Sequence, residues 1–133
     1  MATTTATITI SSADLTGDAL SLSTTATLTK AGTTTGLDQT TGVARKFFSS
    51  AQANYNLIAA ADYTASKAHK VYIKNISTTA SEFIKVEIGG SNTSLGRLYA
   101  GDFMFIPYDG ENDIDIDTSD VNMTVEYLVI YEA

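Results

Sequence analysis

Two apolar runs, one ending at Leu98-Tyr99 and one opening at Phe103, flank the break Ala100-Gly101-Asp102. Over residues 95–107 this pattern predicts a β-hairpin, with glycine supplying the positive φ of a tight turn. Phe103, Phe105 and Ile106 become its expected core residues, and Pro107, which has no N–H to give, ends the ladder. Ile8 and Ile10 alternate with threonine, and Leu20 and Leu22 with serine, predicting two half-buried strands. Residues 33–42, with two glycines and almost nothing apolar, read as a loop or flexible arm. Past Val43 the apolar density rises. Phe47-Phe48 marks a short strand, and Ala51, Ala53, Tyr55 and Leu57 keep period two, which favours a strand over an alanine-driven helix across 50–61.

Further strands are predicted at residues 70–76, at 82–88 with Ile84, Val86 and Ile88 on one face, and around Ile114 and Ile116. The last run, 123–131, carries Met123, Val125, Tyr127, Val129 and Tyr131 on one face and Leu128 and Ile130 on the other. A strand apolar on both faces belongs in the middle of its sheet. Short strands with turn signals about every ten residues give an all-β fold, an antiparallel β-sandwich of jelly-roll type with an extended N-terminal segment. Residues 1–42 form the threonine-rich strands or arm and residues 43–133 the sandwich core, within a single domain.

Composition narrows the functional classes. The 133 residues include no cysteine, so disulfides and thiolate chemistry are absent. A net charge of −7 and a pI near 4.4 disfavour nucleic acid and anionic membranes as partners. The N-terminal residues carry no basic leader with an apolar stretch, and no run is long enough to span a bilayer, so a soluble protein made in the cytoplasm is expected.

Candidate chemistry is sparse. His69 is the single histidine, too few for a metal cluster, and is expected on the surface at the mouth of a strand. No Gly-x-Ser-x-Gly elbow occurs. Asp113, Asp115 and Asp117 alternate as in the opening of a calcium loop, but Thr118 and Thr124 stand where that loop needs glycine and glutamate, and the intervening isoleucines indicate a strand. No catalytic, cofactor-binding or metal-ligating residue is therefore assigned. Asn75-Ile76-Ser77, Asn92-Thr93-Ser94 and Asn122-Met123-Thr124 fit the glycosylation triplet, which a chain rich in serine and threonine generates by chance. Every basic residue lies at or before Arg97, whereas a run of carboxylates from Asp102 to Glu132 follows it. The two sets either occupy different surfaces or interleave across strands.

Asp62-Tyr63-Thr64-Ala65, residues 69–75 (His-Lys-Val-Tyr-Ile-Lys-Asn), Leu95-Gly96-Arg97-Leu98, residues 101–107 and residues 123–127 together resemble the small β-rich virion proteins of tailed bacteriophages. The resemblance covers roughly the second half of the chain. It implies a non-enzymatic sandwich that decorates or cements a capsid, sits in the virion after synthesis in the host cytoplasm, and associates with itself as a homo-oligomer (a trimer) and with other virion proteins such as the major capsid protein. The alternative it implies is a tail or fibre module for a receptor or glycan, with Tyr55, Tyr63, Tyr72, Tyr99 and Tyr108 as candidate platforms. Residues 2–11, poor in large apolar side chains, are expected to serve as an intersubunit arm that adds a strand to a neighbour's sheet edge.

Overall fold

The computed structural model describes residues 3–15, 17–90 and 93–133, in two compact units that divide between Asp38 and Gln39. The expected arm begins at Ala2, which lies outside the described residues.

In the first unit, β1 (Thr5–Ser12) and β2 (Leu20–Thr27) pair as an antiparallel ribbon. β1 is thus a ribbon strand rather than a lone extended arm. Register decides its chemistry, because directly opposed residues share a face. Thr7 lies opposite Thr25 and Thr9 opposite Ser23, and their hydroxyls bond across the strands at 2.7 and 3.2 Å. The other face carries Ile8, Ile10, Leu20 and Leu22, each 38–49% exposed, so the predicted strands form but are not half-buried as their alternation suggested. The stretch expected to be a loop or flexible arm is more ordered than that: Thr29 bridges Gly36, Lys30 N–H donates to Thr35 O at 2.8 Å, and Leu37 is buried.

The second unit is an antiparallel β-sandwich. Its strands are β3 (Gln39–Thr40), β4 (Ala44–Phe48), β5 (Tyr55–Ile58), β6 (His69–Asn75), β7 (Phe83–Ile88), β8 (Ser94–Tyr99), β9 (Phe103–Tyr108), β10 (Ile114–Thr118) and β11 (Met123–Tyr131). The helical content among the described residues is one 3-10 turn, Ala60–Asp62, so the choice of strand over helix before it holds for β5. One sheet has the order β5-β10-β7-β8. In the other, β3 and β4 share one edge of β11, followed by β6 and β9. β11 is paired on both sides, as its two apolar faces require. Ile58, Ile84, Val86, Ile114 and Ile116 of the first sheet meet Val71, Ile73, Met123, Val125 and Val129 of the second in one core.

The predicted hairpin at residues 95–107 is not one. The turn is there: Asp102 N–H donates to Tyr99 O at 2.9 Å, and Gly101 takes φ +83° as the third residue of a type II turn demands. But β8 pairs with β7 and β9 pairs with β6, so the two strands belong to different sheets and the turn is a corner between layers. The phase of β9 follows from that pairing. Met104, Ile106 and Tyr108 face the core, whereas Phe103 is 60% exposed and Phe105 lies outside the core cluster. Of the three expected core residues, Ile106 alone packs inward.

Asn75, fully buried at the end of β6, closes this corner. Its N–H donates to Asp102 O (3.0 Å) and its carbonyl accepts from Gly101 N–H (2.9 Å). Its side-chain amide donates to Leu98 O (3.0 Å) and Glu82 O (3.2 Å), while Oδ1 accepts from Ser77 N–H (3.0 Å). Every polar group of the residue is engaged, and the bonds run to both sheets.

Replacing Asn75 with alanine takes the side-chain partner from two carbonyls and an N–H around a buried position, each worth roughly 1–3 kcal/mol, so Asn75→Ala should lose about 2–4 kcal/mol in urea unfolding. Phe103→Ala, at an exposed ring, should stay within about 0.5 kcal/mol of the parent. Equal losses for the two would contradict these assignments.

Candidate functional site

Of the three alternating aspartates, Asp115 and Asp117 lie on β10 and Asp113 immediately precedes it, and protein donors occupy the outer two. Asp113 accepts from Ala60 N–H (2.8 Å) and Asn56 Nδ2 (2.9 Å), fastening the 3-10 turn to the sheet. Asp117 accepts from Asn54 N–H at 2.7 Å and lies 2.7 Å from Lys85 Nζ. Burial opposes ionisation of Asp117, yet Lys85 and the Asn54 N–H outweigh it and hold its carboxyl below the ordinary value. The same Lys85 ammonium is 2.7 Å from Glu87 Oε1, so one cation serves two carboxylates. Asp115 stands directly across from the fully buried Glu87, and burial, with Asp113, Glu87 and Asp117 nearby, pushes its carboxyl up. Among the described residues, no three histidine or carboxylate side chains are placed to hold a metal ion.

His69 is not at the surface. It is fully buried at the start of β6, in phase with Val71, Ile73 and Asn75. Nδ1 accepts from Glu132 N–H at 3.1 Å, which places the ring proton on Nε2, where it donates to Thr64 O at 2.8 Å. The ring thus staples the chain after β11 to the loop before β6. Gly110 passes so close that a Cβ there would lie 2.8 Å from Thr64 O, so the loop can approach only without a side chain. Around the imidazole, Tyr63 meets Tyr108 and Tyr131 edge-on at centroid distances of 5.9 and 5.3 Å. Lys67 pairs with Glu132 at 3.3 Å on the same side. A shallow cleft of about 310 Å³ opens beside this cluster, bordered by Lys67, Lys70, Pro107 and Asn112. With both ring nitrogens engaged, the imidazole ties these two segments together.

The candidate tyrosine platforms divide in the same way. Tyr108 is buried and donates to Asn112 O at 2.9 Å, Tyr63 lies in the cluster just described, and Tyr55 packs edge-on against Phe48 at 4.8 Å. Tyr99 is 43% exposed with its ring 5.6 Å from Phe83, over which Arg97 sits at 4.3 Å. Tyr72 faces outward on the five-stranded sheet, donates to Glu126 at 3.1 Å and borders Phe103. The Asn75 triplet is closed to glycosylation in the folded chain, because its amide is buried and bonded. Asn122 is exposed in the turn before β11, and Asn92 lies outside the described residues.

Acids and bases interleave instead of segregating: Arg45 pairs with Glu126 (2.9 Å), Lys67 with Glu132 and Lys85 with Asp117 across neighbouring segments. Glu87, fully buried, makes no side-chain hydrogen bond beyond its ion pair with Lys85, and large apolar side chains stand exposed among the described residues. The outward face of the five-stranded sheet presents Phe47 on β4 and Phe103 on β9, 56% and 60% exposed, with Tyr72 beside Phe103, and the β1-β2 ribbon presents its isoleucines and leucines. Spacing pointed to carboxylates and a histidine, whereas the chemically available groups are these uncovered side chains. No family model, curated protein or solved structure matches the chain.

Burial, followed by the neighbouring carboxylates and phenols, raises Tyr63 and Tyr108 from the ordinary 10.0 to about 12. Their folded-state values exceed the unfolded ones, so the stabilisation is complete below pH about 10 and is lost as pH rises through about 12. Tyrosinate absorbance of the folded protein should show a late component near pH 12 that disappears in the double variant Tyr63→Phe/Tyr108→Phe. Ionisation of all tyrosines near pH 10 with the fold intact would contradict this.

Proposed function

We propose that this protein is a non-enzymatic structural component of a tailed-phage particle, a decoration or cement protein of the capsid that works as a homo-oligomer beside the major capsid protein. The observation that carries this reading is the division of labour among side chains. His69, Asp113 and Asp117, which might do chemistry, are bonded within the sandwich, while large apolar side chains of the ribbon and of the outward sheet face stand uncovered. Exposed apolar side chains of this size suit a protein whose work is contact with other proteins. The resemblance of the second half of the chain to small virion proteins supports the same reading. A fibre or tail module that binds a glycan is the second reading, favoured by the exposed Phe103 ring beside Tyr72, whose hydroxyl is bonded to Glu126.

Particles purified from the phage whose genome encodes this chain should contain it, and the isolated protein should bind capsids assembled from the major capsid protein alone. Its absence from the particles would refute the proposal. Recovery on tails but not on capsids would favour the second reading.

A further inference from the structure

We infer that Glu87 and Asp115 together bind one proton, Asp115 donating its carboxyl O–H to the Glu87 carboxylate, and that this bond is a pH-sensitive clamp between β7 and β10. The clamp goes beyond the proposed function and holds or fails independently of it.

Glu87 poses the question. It is fully buried, yet neither of its carboxylate oxygens accepts a hydrogen bond, and its one opposite charge is Lys85 Nζ, 2.7 Å from Oε1. Buried polar atoms in folded proteins are bonded as a rule, so the free oxygen calls for a donor.

Register supplies one. Asp115 lies directly opposite Glu87 on the neighbouring strand, which puts their Cβ atoms about 4.5–5.5 Å apart on the same face. Asp115 is itself 8% exposed, and among the described residues no N–H or O–H group is bonded to its carboxyl. Two buried carboxylates so placed repel when both are ionised. A single proton turns the pair into a donor facing an acceptor.

The surrounding charges decide which partner carries it. On β7, Lys85 faces Glu87 and, also at 2.7 Å, Asp117 Oδ2, so its charge is divided between two carboxylates and neither is Asp115. On β8, Arg97 stands opposite Lys85, but its guanidinium lies over the Phe83 ring at 4.3 Å, and Ser94 opposite Glu87 is uncharged. On β5, the residue opposite Asp115 is Asn56, whose amide is given to Asp113. Asp113 and Asp117 flank Asp115 along its own strand and add only negative charge. Asp115 is thus the carboxyl without a counter-charge, and burial with the neighbouring carboxylates pushes it up from the ordinary value of 3.8.

The folded protein then holds this proton more tightly than the unfolded chain does. The stabilisation is complete below the ordinary value and is lost as the pH rises through the raised one, where repulsion replaces the bond. β7 and β10 are the two middle strands of the four-stranded sheet, so that sheet is tighter at its centre in acid than at neutrality.

Carbon-detected NMR of the full-length protein follows the group directly. The Asp115 carboxyl should titrate above 3.8 in the parent and at a lower pH in Glu87→Gln, whose amide can donate where the carboxylate accepted. Asp115→Asn is a permanently neutral stand-in for the protonated acid. In urea unfolding its folding equilibrium constant should agree with the parent's within about two-fold near pH ~4 and exceed it about three-fold or more near pH ~7. Titration of Asp115 at or below the ordinary value, an unchanged titration in Glu87→Gln, or an Asp115→Asn effect that does not vary with pH would overturn the inference.

Discussion

The sandwich depends on how the chain changes layers at Gly101 without leaving backbone groups unpaired. A strand that leaves one sheet for another gives up ladder partners at the corner, and a buried N–H or carbonyl without a partner costs as much as a lost hydrogen bond. Asn75 meets that demand from a third strand. Its backbone bonds the turn on both sides of Gly101, and its amide bonds carbonyls that belong to the opposite layer. The two sheets are therefore joined by directional bonds at the place where the apolar core between Ile84, Ile116, Ile73 and Val125 comes to an end. His69 plays the matching part at the other end of β6, between Thr64 and Glu132. One strand thus carries apolar residues at its centre and a fully bonded polar residue at each end.

Much of this was legible in the sequence. Period-two alternation located most of the strands, and the doubly apolar run 123–131 identified the centre of a sheet, because burial on both sides leaves no other pattern. The misreadings have a common physical origin. A turn between two apolar runs looks the same whether the strands pair with each other or part into different sheets, since pairing is a non-local property. Phe103 and Phe105 attracted attention by size, but the buried phase of β9 belongs to Met104, Ile106 and Tyr108. The signal for His69 and Asn75 was present and overlooked: both stand in the buried phase of Val71 and Ile73, and polar residues in that phase require specific hydrogen-bond partners.

The same accounting shapes the functional reading. His69 and Asp113 hold loops to the sheets, and Asp117 is bonded to Asn54 and Lys85. One face of the ribbon carries hydroxyls alone and the other its isoleucines and leucines, and the outward sheet face bears Phe47 and Phe103 together with the Arg45–Glu126 ion pair. In the proposed virion role, these exposed apolar side chains are the ones that other proteins would cover.

The central claim, that Asn75 locks the corner between the two sheets, is tested most directly by native-state hydrogen exchange at Gly101, whose amide donates to Asn75 O at 2.9 Å. A turn amide ordinarily exchanges through local opening, whereas one bonded into the junction of two layers opens only with the whole fold. The account predicts that the Gly101 amide is protected to the same level as those of β6 and β11. Exchange of Gly101 as fast as an exposed loop amide, with those strands still protected, would contradict it.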